Sequence, residues 1–124
     1  MDNYATDESI MELFEGWFDP CPLSDDWEEA GGPDGLEIYW RDKTYVNPPY
    51  SKPLPWVTKA IEENKEGKTI VMLLRMDTST EWFKRLQEAN AKFLWVNKRL
   101  KFKTGKPANF PSMLVILSKG EKEE

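Results

Sequence analysis

Asn47-Pro48-Pro49-Tyr50 is the stretch of this sequence whose residue types and spacing could do chemistry. It follows a short apolar run, Thr44-Tyr45-Val46, and precedes Ser51-Lys52-Pro53-Leu54-Pro55, which is not expected to be regular structure. A proline pushes the residue before it out of the α region, and each proline lacks a backbone donor while keeping its carbonyl. The turn therefore presents an Asn side-chain oxygen, the Pro48 carbonyl and an aromatic ring at low entropy. Such a set suits the gripping of an exocyclic amine by two acceptors while a ring stacks on the flat heterocycle that carries it. A proline-rich β-turn with a surface Tyr is the plain alternative.

The rest of the composition narrows that chemistry. The 124 residues fit one domain, expected over 1–119 with a frayed acidic tail at 120–124. There is no His, so the commonest general base and metal ligand is missing, and no metal is expected. The single Cys21 excludes an internal disulfide and a multi-Cys zinc site, and a structural role is expected for it. No apolar run approaches the length of a membrane span, and Met1-Asp2-Asn3 does not open a signal peptide. A soluble, cytoplasmic protein with no membrane partner is expected.

Charge is unevenly distributed. The formal net charge is −5, yet residues 89–120 hold seven basic and no acidic side chains. That segment carries +7 against −12 for the remainder. One face for a polyanion is one reading; ion pairing with the acidic remainder is the other.

The elements that must position the motif follow from pattern. Thr6 can cap a helix over Asp7–Glu15, with Ile10, Leu13, Phe14 and Trp17 as its apolar stripe. Trp17-Phe18 reads as a very short strand ended by Asp19-Pro20-Cys21-Pro22. A carboxylate just past a strand's carboxyl end stands where open α/β sheets place ligands. Leu36–Trp40 alternates like a strand, and Arg41-Asp42-Lys43 turns into Thr44–Val46. Pro55 starts a helix to about Lys65, with Trp56, Val57, Ala60 and Ile61 on one face and Gly67 ending it. Thr69–Leu74 has the continuous apolar character of a strand buried on both faces. Thr78 or Ser79 caps a helix through about Asn90 that turns Trp82, Phe83 and Leu86 inward. Phe93–Val96 reads as a buried strand that takes Trp95 into the core, and Met113–Leu117 as the last strand. Core packing is favoured for Trp56 over a place in a base pocket. The order implies an α/β fold with a mostly parallel sheet and a reversed C-terminal strand.

These residues carry a family resemblance that runs over nearly the whole chain. Tyr4-x-Thr6, Asp19-Pro20-Cys21, Asp34-Gly35-Leu36 with Trp40, Asn47-Pro48-Pro49-Tyr50, Thr80-x-Trp82-Phe83, Arg99-Leu100-x-Phe102 and Phe110-Pro111-Ser112 occur in order. Together they resemble the phage-type, Dam-like DNA N6-adenine methyltransferases that depend on S-adenosylmethionine. The pattern departs from that group in three places. Asp7 replaces its usual proline, a Gly-x-Gly after the first strand is absent, and an Arg usual near Asp77 has its counterpart at Arg75. Only 25 residues separate Cys21 from Asn47, so the adenosine half of the cofactor site is expected to be abbreviated.

The resemblance implies a minimal Rossmann-like methyltransferase sheet, S-adenosylmethionine as cofactor and DNA as partner. It implies that Asn47 and Pro48 accept the hydrogens of adenine N6, Pro49 stiffens the turn and Tyr50 stacks on the base. It implies cofactor contacts from Tyr4, Thr6, Asp19, Pro20, Cys21 and Asp34. Lys98, Arg99, Lys101, Lys103 and Lys106 would meet phosphates. A homodimer is one way for so small a chain to complete its grip on DNA. An RNA adenine or a protein glutamine as acceptor, and a nucleic-acid-binding module that has lost catalysis, are the alternatives.

Overall fold

A computed structural model describes residues 12–21, 34–49, 51–96 and 112–118. In chain order they form β1 (Lys43–Val46), α1 (Pro53–Lys65), β2 (Thr69–Arg75), α2 (Glu81–Glu88), β3 (Lys92–Trp95) and β4 (Ser112–Leu117). The succession strand, helix, strand, helix, strand, strand is the one the pattern predicts.

Among the described residues the sheet has four strands in the order β1-β2-β4-β3. The sheet is mixed rather than mostly parallel as the pattern predicts: among its four strands only β1 and β2 pair in parallel, and β4 runs antiparallel to both β2 and β3. The reversed last strand does not lie at an edge but inserts between β2 and β3. Its composition explains the place. Ser112 to Leu117 is buried at every position but Ile116, so it needs a neighbour on each side. Lys92–Trp95, by contrast, is largely exposed and takes the edge, where a charged residue is tolerated. Phe93–Val96 is thus no buried strand, and Trp95, at 59% exposure, is not a core residue.

Alternation sorts the side chains onto two faces. Val46, Ile70, Met72, Leu74, Met113, Val115 and Leu117 pack under Trp56, Val57 and Ala60 of α1 and Trp82, Phe83 and Leu86 of α2. Tyr45, Val71, Leu73 and Leu114 pack on the other face with Phe14 and Trp17. Residues 12–13 are helical and a turn follows at 14–16; the rest of the helix expected over Asp7–Glu15 lies outside the described residues.

The helix boundaries have local causes. The helix α1 starts at Pro53 rather than Pro55, because a first turn has no use for the missing proline N–H. Gly67 leaves it at φ 97°, a left-handed conformation that suits glycine. Asn64 ties this end of α1 to the sheet, its Nδ2 sharing its two hydrogens among the carbonyls of Lys68 (2.8 Å), Leu117 (3.2 Å) and Ser118 (3.1 Å). Thr80 caps α2, not Thr78 or Ser79: the Phe83 N–H donates to Thr80 Oγ1 over 3.2 Å. The helix ends at Glu88, before Asn90 turns left-handed at φ 63°.

Leu36–Trp40 is a turn and an extended connection rather than a strand. Asp34 captures its start, accepting from Leu36 N–H on Oδ1 (2.9 Å) and from Glu37 N–H on its carbonyl (2.8 Å). At its end the Trp40 N–H donates to a side chain, Glu63 Oε1 (3.2 Å). Alternating apolarity here reflects half-burial of a loop.

Candidate active site

Two segments deliver the polar residues to one sheet edge. Phe18 bridges Thr44 in parallel, its N–H donating to Lys43 O (2.9 Å) and its carbonyl accepting from Tyr45 N–H (2.8 Å). The predicted short strand at Trp17-Phe18 is thus a single bridge beside β1. Both segments point the same way, so Asp19 and Asn47 leave the sheet at its carboxyl edge. The Arg75 end of β2 reaches that edge too, since β2 is parallel to β1.

Asn47 is 4% exposed and Pro48 is also buried. The turn closes through Lys52 N–H, which donates to Pro49 O over 3.2 Å and leads into α1. Tyr50 lies outside the described residues, as do Tyr4, Thr6, Lys98, Arg99, Lys101, Lys103 and Lys106.

The Asp-Pro-Cys and Asp-Gly-Leu segments, 13 or more positions apart in the chain, meet in space. A β-carbon placed on Gly35 would stand 2.0 Å from the Pro20 oxygen and 2.9 Å from the Trp56 ring. Only glycine permits this approach. Trp40 locks it, donating from its indole Nε1 to Gly35 O over 2.8 Å and stacking on Trp56 at 6.3 Å and 22°. Trp56 is core, as expected, and also forms the wall on which the two acidic turns rest. Trp40 and Gly35 as a clamp were hidden in the sequence. Their motif is visible there, but contacts between distant segments are not.

Each carboxylate shapes its own turn. Asp19 Oδ1 accepts from Cys21 N–H over 2.9 Å, as Asp34 Oδ1 does from Leu36. Asp19 keeps solvent exposure, yet desolvation by the surrounding protein pushes its carboxyl above the ordinary 3.8, with the Cys21 bond opposing. Cys21 is half-buried against the helix-side core.

Behind the clamp, Glu63 of α1 is 4% exposed and bridges Lys59 (2.8 Å), Lys68 and the Trp40 N–H. Burial pushes its carboxyl up; the hydrogen bonds from Lys59, Lys68 and Trp40 outweigh burial and leave it below the ordinary 4.5. At the end of β2, Arg75 Nη2 meets Asp77 Oδ2 at 3.3 Å, and the Ser79 hydroxyl donates to Asp77 Oδ1 over 2.7 Å. Hydrogen bonds from Ser79 hold the Asp77 carboxyl below its ordinary value, with Arg75 adding to the effect. Among the described residues, no group of three or more Cys, Asp or Glu side chains could hold a metal ion, and no helix is long and apolar enough to cross a membrane.

A parallel strand pair with acidic turns and a buried Asn-Pro-Pro turn at its carboxyl edge defines an α/β protein of the class that binds ligands there. The chain belongs to the DNA N-6-adenine-methyltransferase (Dam) family, whose model matches residues 22–123. It is 40% identical over 90 residues to the DNA N-6-adenine-methyltransferase of Haemophilus phage HP1 (strain HP1c1), covering 65% of this chain and 52% of that protein. It is 39% identical over 67 residues to the DNA N-6-adenine-methyltransferase of Escherichia phage T1, covering 52% of this chain and 28% of that one. The matched stretch is thus about half of the first relative's length and less than a third of the second's. No solved structure matches the chain significantly.

Proposed function

We propose that this chain methylates the N6 amine of adenine in DNA, with S-adenosylmethionine as methyl donor. The observation that carries the reading is Asn47: a nearly buried amide at the carboxyl end of β1, rigidly flanked by Pro48. Buried there, its side-chain oxygen would accept in low dielectric, where a hydrogen bond from a reacting group has most effect. Adenine N6 is a poor nucleophile because its lone pair is delocalised into the ring. Asn47 Oδ1 and the Pro48 carbonyl would each accept one N6 hydrogen and favour a pyramidal nitrogen. No strong base is required, which suits a chain without His. Tyr50 would stack on the extruded base.

The residues at the edge fit the cofactor by their chemistry. Asp19 and Asp34 are exposed carboxylates on touching turns, suited to a ligand with an ammonium group and ribose hydroxyls. When bound, S-adenosylmethionine supplies a methyl group activated by its sulfonium. Asp19, Pro20, Cys21 and Asp34 would hold it, aided by Tyr4 and Thr6, and Trp56 would back their turns. Most of the rate would come from positioning and electrostatics.

We read the sheet as a reduced Rossmann-like one, since 25 residues between Cys21 and Asn47 leave no room for two further βα units. Lys98, Arg99, Lys101, Lys103 and Lys106 would bind phosphates flanking the target, which makes binding salt-dependent. A DNA substrate implies the cytoplasm of a prokaryotic or virus-infected host cell as the compartment. Transfer of labelled methyl from S-adenosylmethionine to adenine-containing DNA, lost in Asn47→Ala, is the test.

A further inference from the structure

Trp95 stands out because it lies outside the buried core of the described residues. It is 59% exposed at the carboxyl end of the edge strand β3. Its ring is nonetheless held: it stacks on Phe93 at 6.4 Å and 20°, and Phe93 lies 4.9 Å from the buried Phe83 of α2. Three rings therefore form a ladder rooted in the core, whose outermost member offers a flat apolar surface to solvent.

The register fixes where that surface lies. Val46, Met72, Val115 and Phe93 make one row across the sheet. Trp95 is two residues beyond this row on β3, as Pro48 is on β1, and both strands run the same way. Three strand spacings separate the two, about 14 Å at about 4.8 Å each. Trp95 thus stands at the same edge as Asn47, within the span of a few stacked nucleotides.

We propose that Trp95 is a stacking platform for a nucleobase of the DNA that flanks the target adenine. The proposal rests on the DNA reading above and adds a contact to it. Two observations select a base over a protein partner. Trp95 leads directly into the acid-free basic stretch at 97–106, whose charge suits a polyanion. The neighbouring exposed apolar residue, Leu94 at 54%, points to the opposite face of the strand, so the two make no single apolar patch. A pre-ordered aromatic ring that precedes a basic stretch of chain suits a base, because every base has a π-face.

The test is a fluorescence-anisotropy titration of an adenine-containing duplex and of its single strand with wild type, Trp95→Ala and Trp95→Phe. Probes with abasic sites on either side of the target adenine complete a double-mutant cycle. Trp95→Ala should weaken binding roughly 5- to 150-fold, and Trp95→Phe should keep most of the affinity. The slope of log affinity against log salt should stay the same, since no phosphate contact is removed. On abasic probes wild type should fall to the level of Trp95→Ala, which should lose little more. A loss on both probes assigns the stacked base to the duplex as well; a loss confined to the single strand assigns it to an unpaired substrate. The proposal is overturned if Trp95→Ala binds as tightly as wild type, or if its loss persists in full on abasic probes. A wild type that binds and methylates DNA while Trp95→Ala binds equally well removes this inference alone. A wild type that binds no DNA removes the DNA reading as well.

Discussion

Gly35 lies against Pro20 so closely that a β-carbon would stand 2.0 Å from the Pro20 carbonyl oxygen. The contact joins the turns of Asp19 and Asp34, and Trp40 fastens it from behind. Gly35→Ala must therefore part the two turns. Overpacking of this kind costs about 1–3 kcal/mol. If that cost falls on the site, affinity for S-adenosylmethionine should fall roughly 5- to 150-fold, since each 1.4 kcal/mol is a factor of ten. Calorimetric titration with the cofactor, alongside thermal melting, checks it. Cofactor affinity like that of wild type would show that the clamp does not shape the site.

Glu63 links the clamp to α1 through Lys59, Lys68 and the Trp40 N–H. Glu63→Gln keeps an acceptor for Trp40 but loses the charge; Glu63→Ala also orphans the buried Trp40 N–H. Urea denaturation should show a loss of about 1–3 kcal/mol for Glu63→Ala and a smaller one for Glu63→Gln. The sign with pH follows from the lowered carboxyl. Its contribution is fully present above the ordinary value of 4.5 and is lost as pH falls through the lowered folded value. Glu63→Gln should flatten the acid limb of the stability profile below about pH 4.5.

Asp19 offers a cleaner variant. Asp19→Asn can still accept from the Cys21 N–H and keep the turn, but carries no charge to meet a cationic ligand. Hydrogen bonds to charged groups are worth about 1.5–3 kcal/mol, so cofactor affinity should fall roughly 10- to 150-fold with little change in melting temperature. Desolvation raises the Asp19 carboxyl, so affinity in wild type should fall with acid at a pH above the ordinary 3.8. Isothermal titrations across pH 4–7 should show this dependence in wild type and lack it in Asp19→Asn. The same pH dependence in both would take Asp19 out of the site.

Much of this arrangement was legible in the sequence. The apolar runs marked β2 and β4, and the stripes of Trp56, Val57, Ala60 and of Trp82, Phe83, Leu86 marked two helices, each with its own apolar side. The Asn47 turn at a strand's carboxyl end was legible because proline restricts its neighbours as well as itself. Strand pairing was not. Periodicity says that Met113–Leu117 is buried but not that it enters the sheet between β2 and β3, which only register and partner choice decide. Trp95 misled for the same reason: apolar type is readable, edge position is not. Leu36–Trp40 alternated like a strand, but Asp34 and Glu63 took its backbone N–H groups at either end. The approach of Gly35 to Pro20 depends on two segments meeting, and no local signal carries that.

Methyl transfer to DNA reads the role of Asn47 without an intermediary. Purified chain is incubated with labelled S-adenosylmethionine and adenine-containing DNA, and the digested product is read by mass spectrometry. Wild type should form N6-methyladenine. Asn47→Ala should form it at least about 100-fold more slowly, the scale on which loss of one catalytic hydrogen bond acts. A wild type that binds both cofactor and DNA yet forms no N6-methyladenine, or a folded Asn47→Ala that transfers methyl at the wild-type rate, would overturn this role for Asn47.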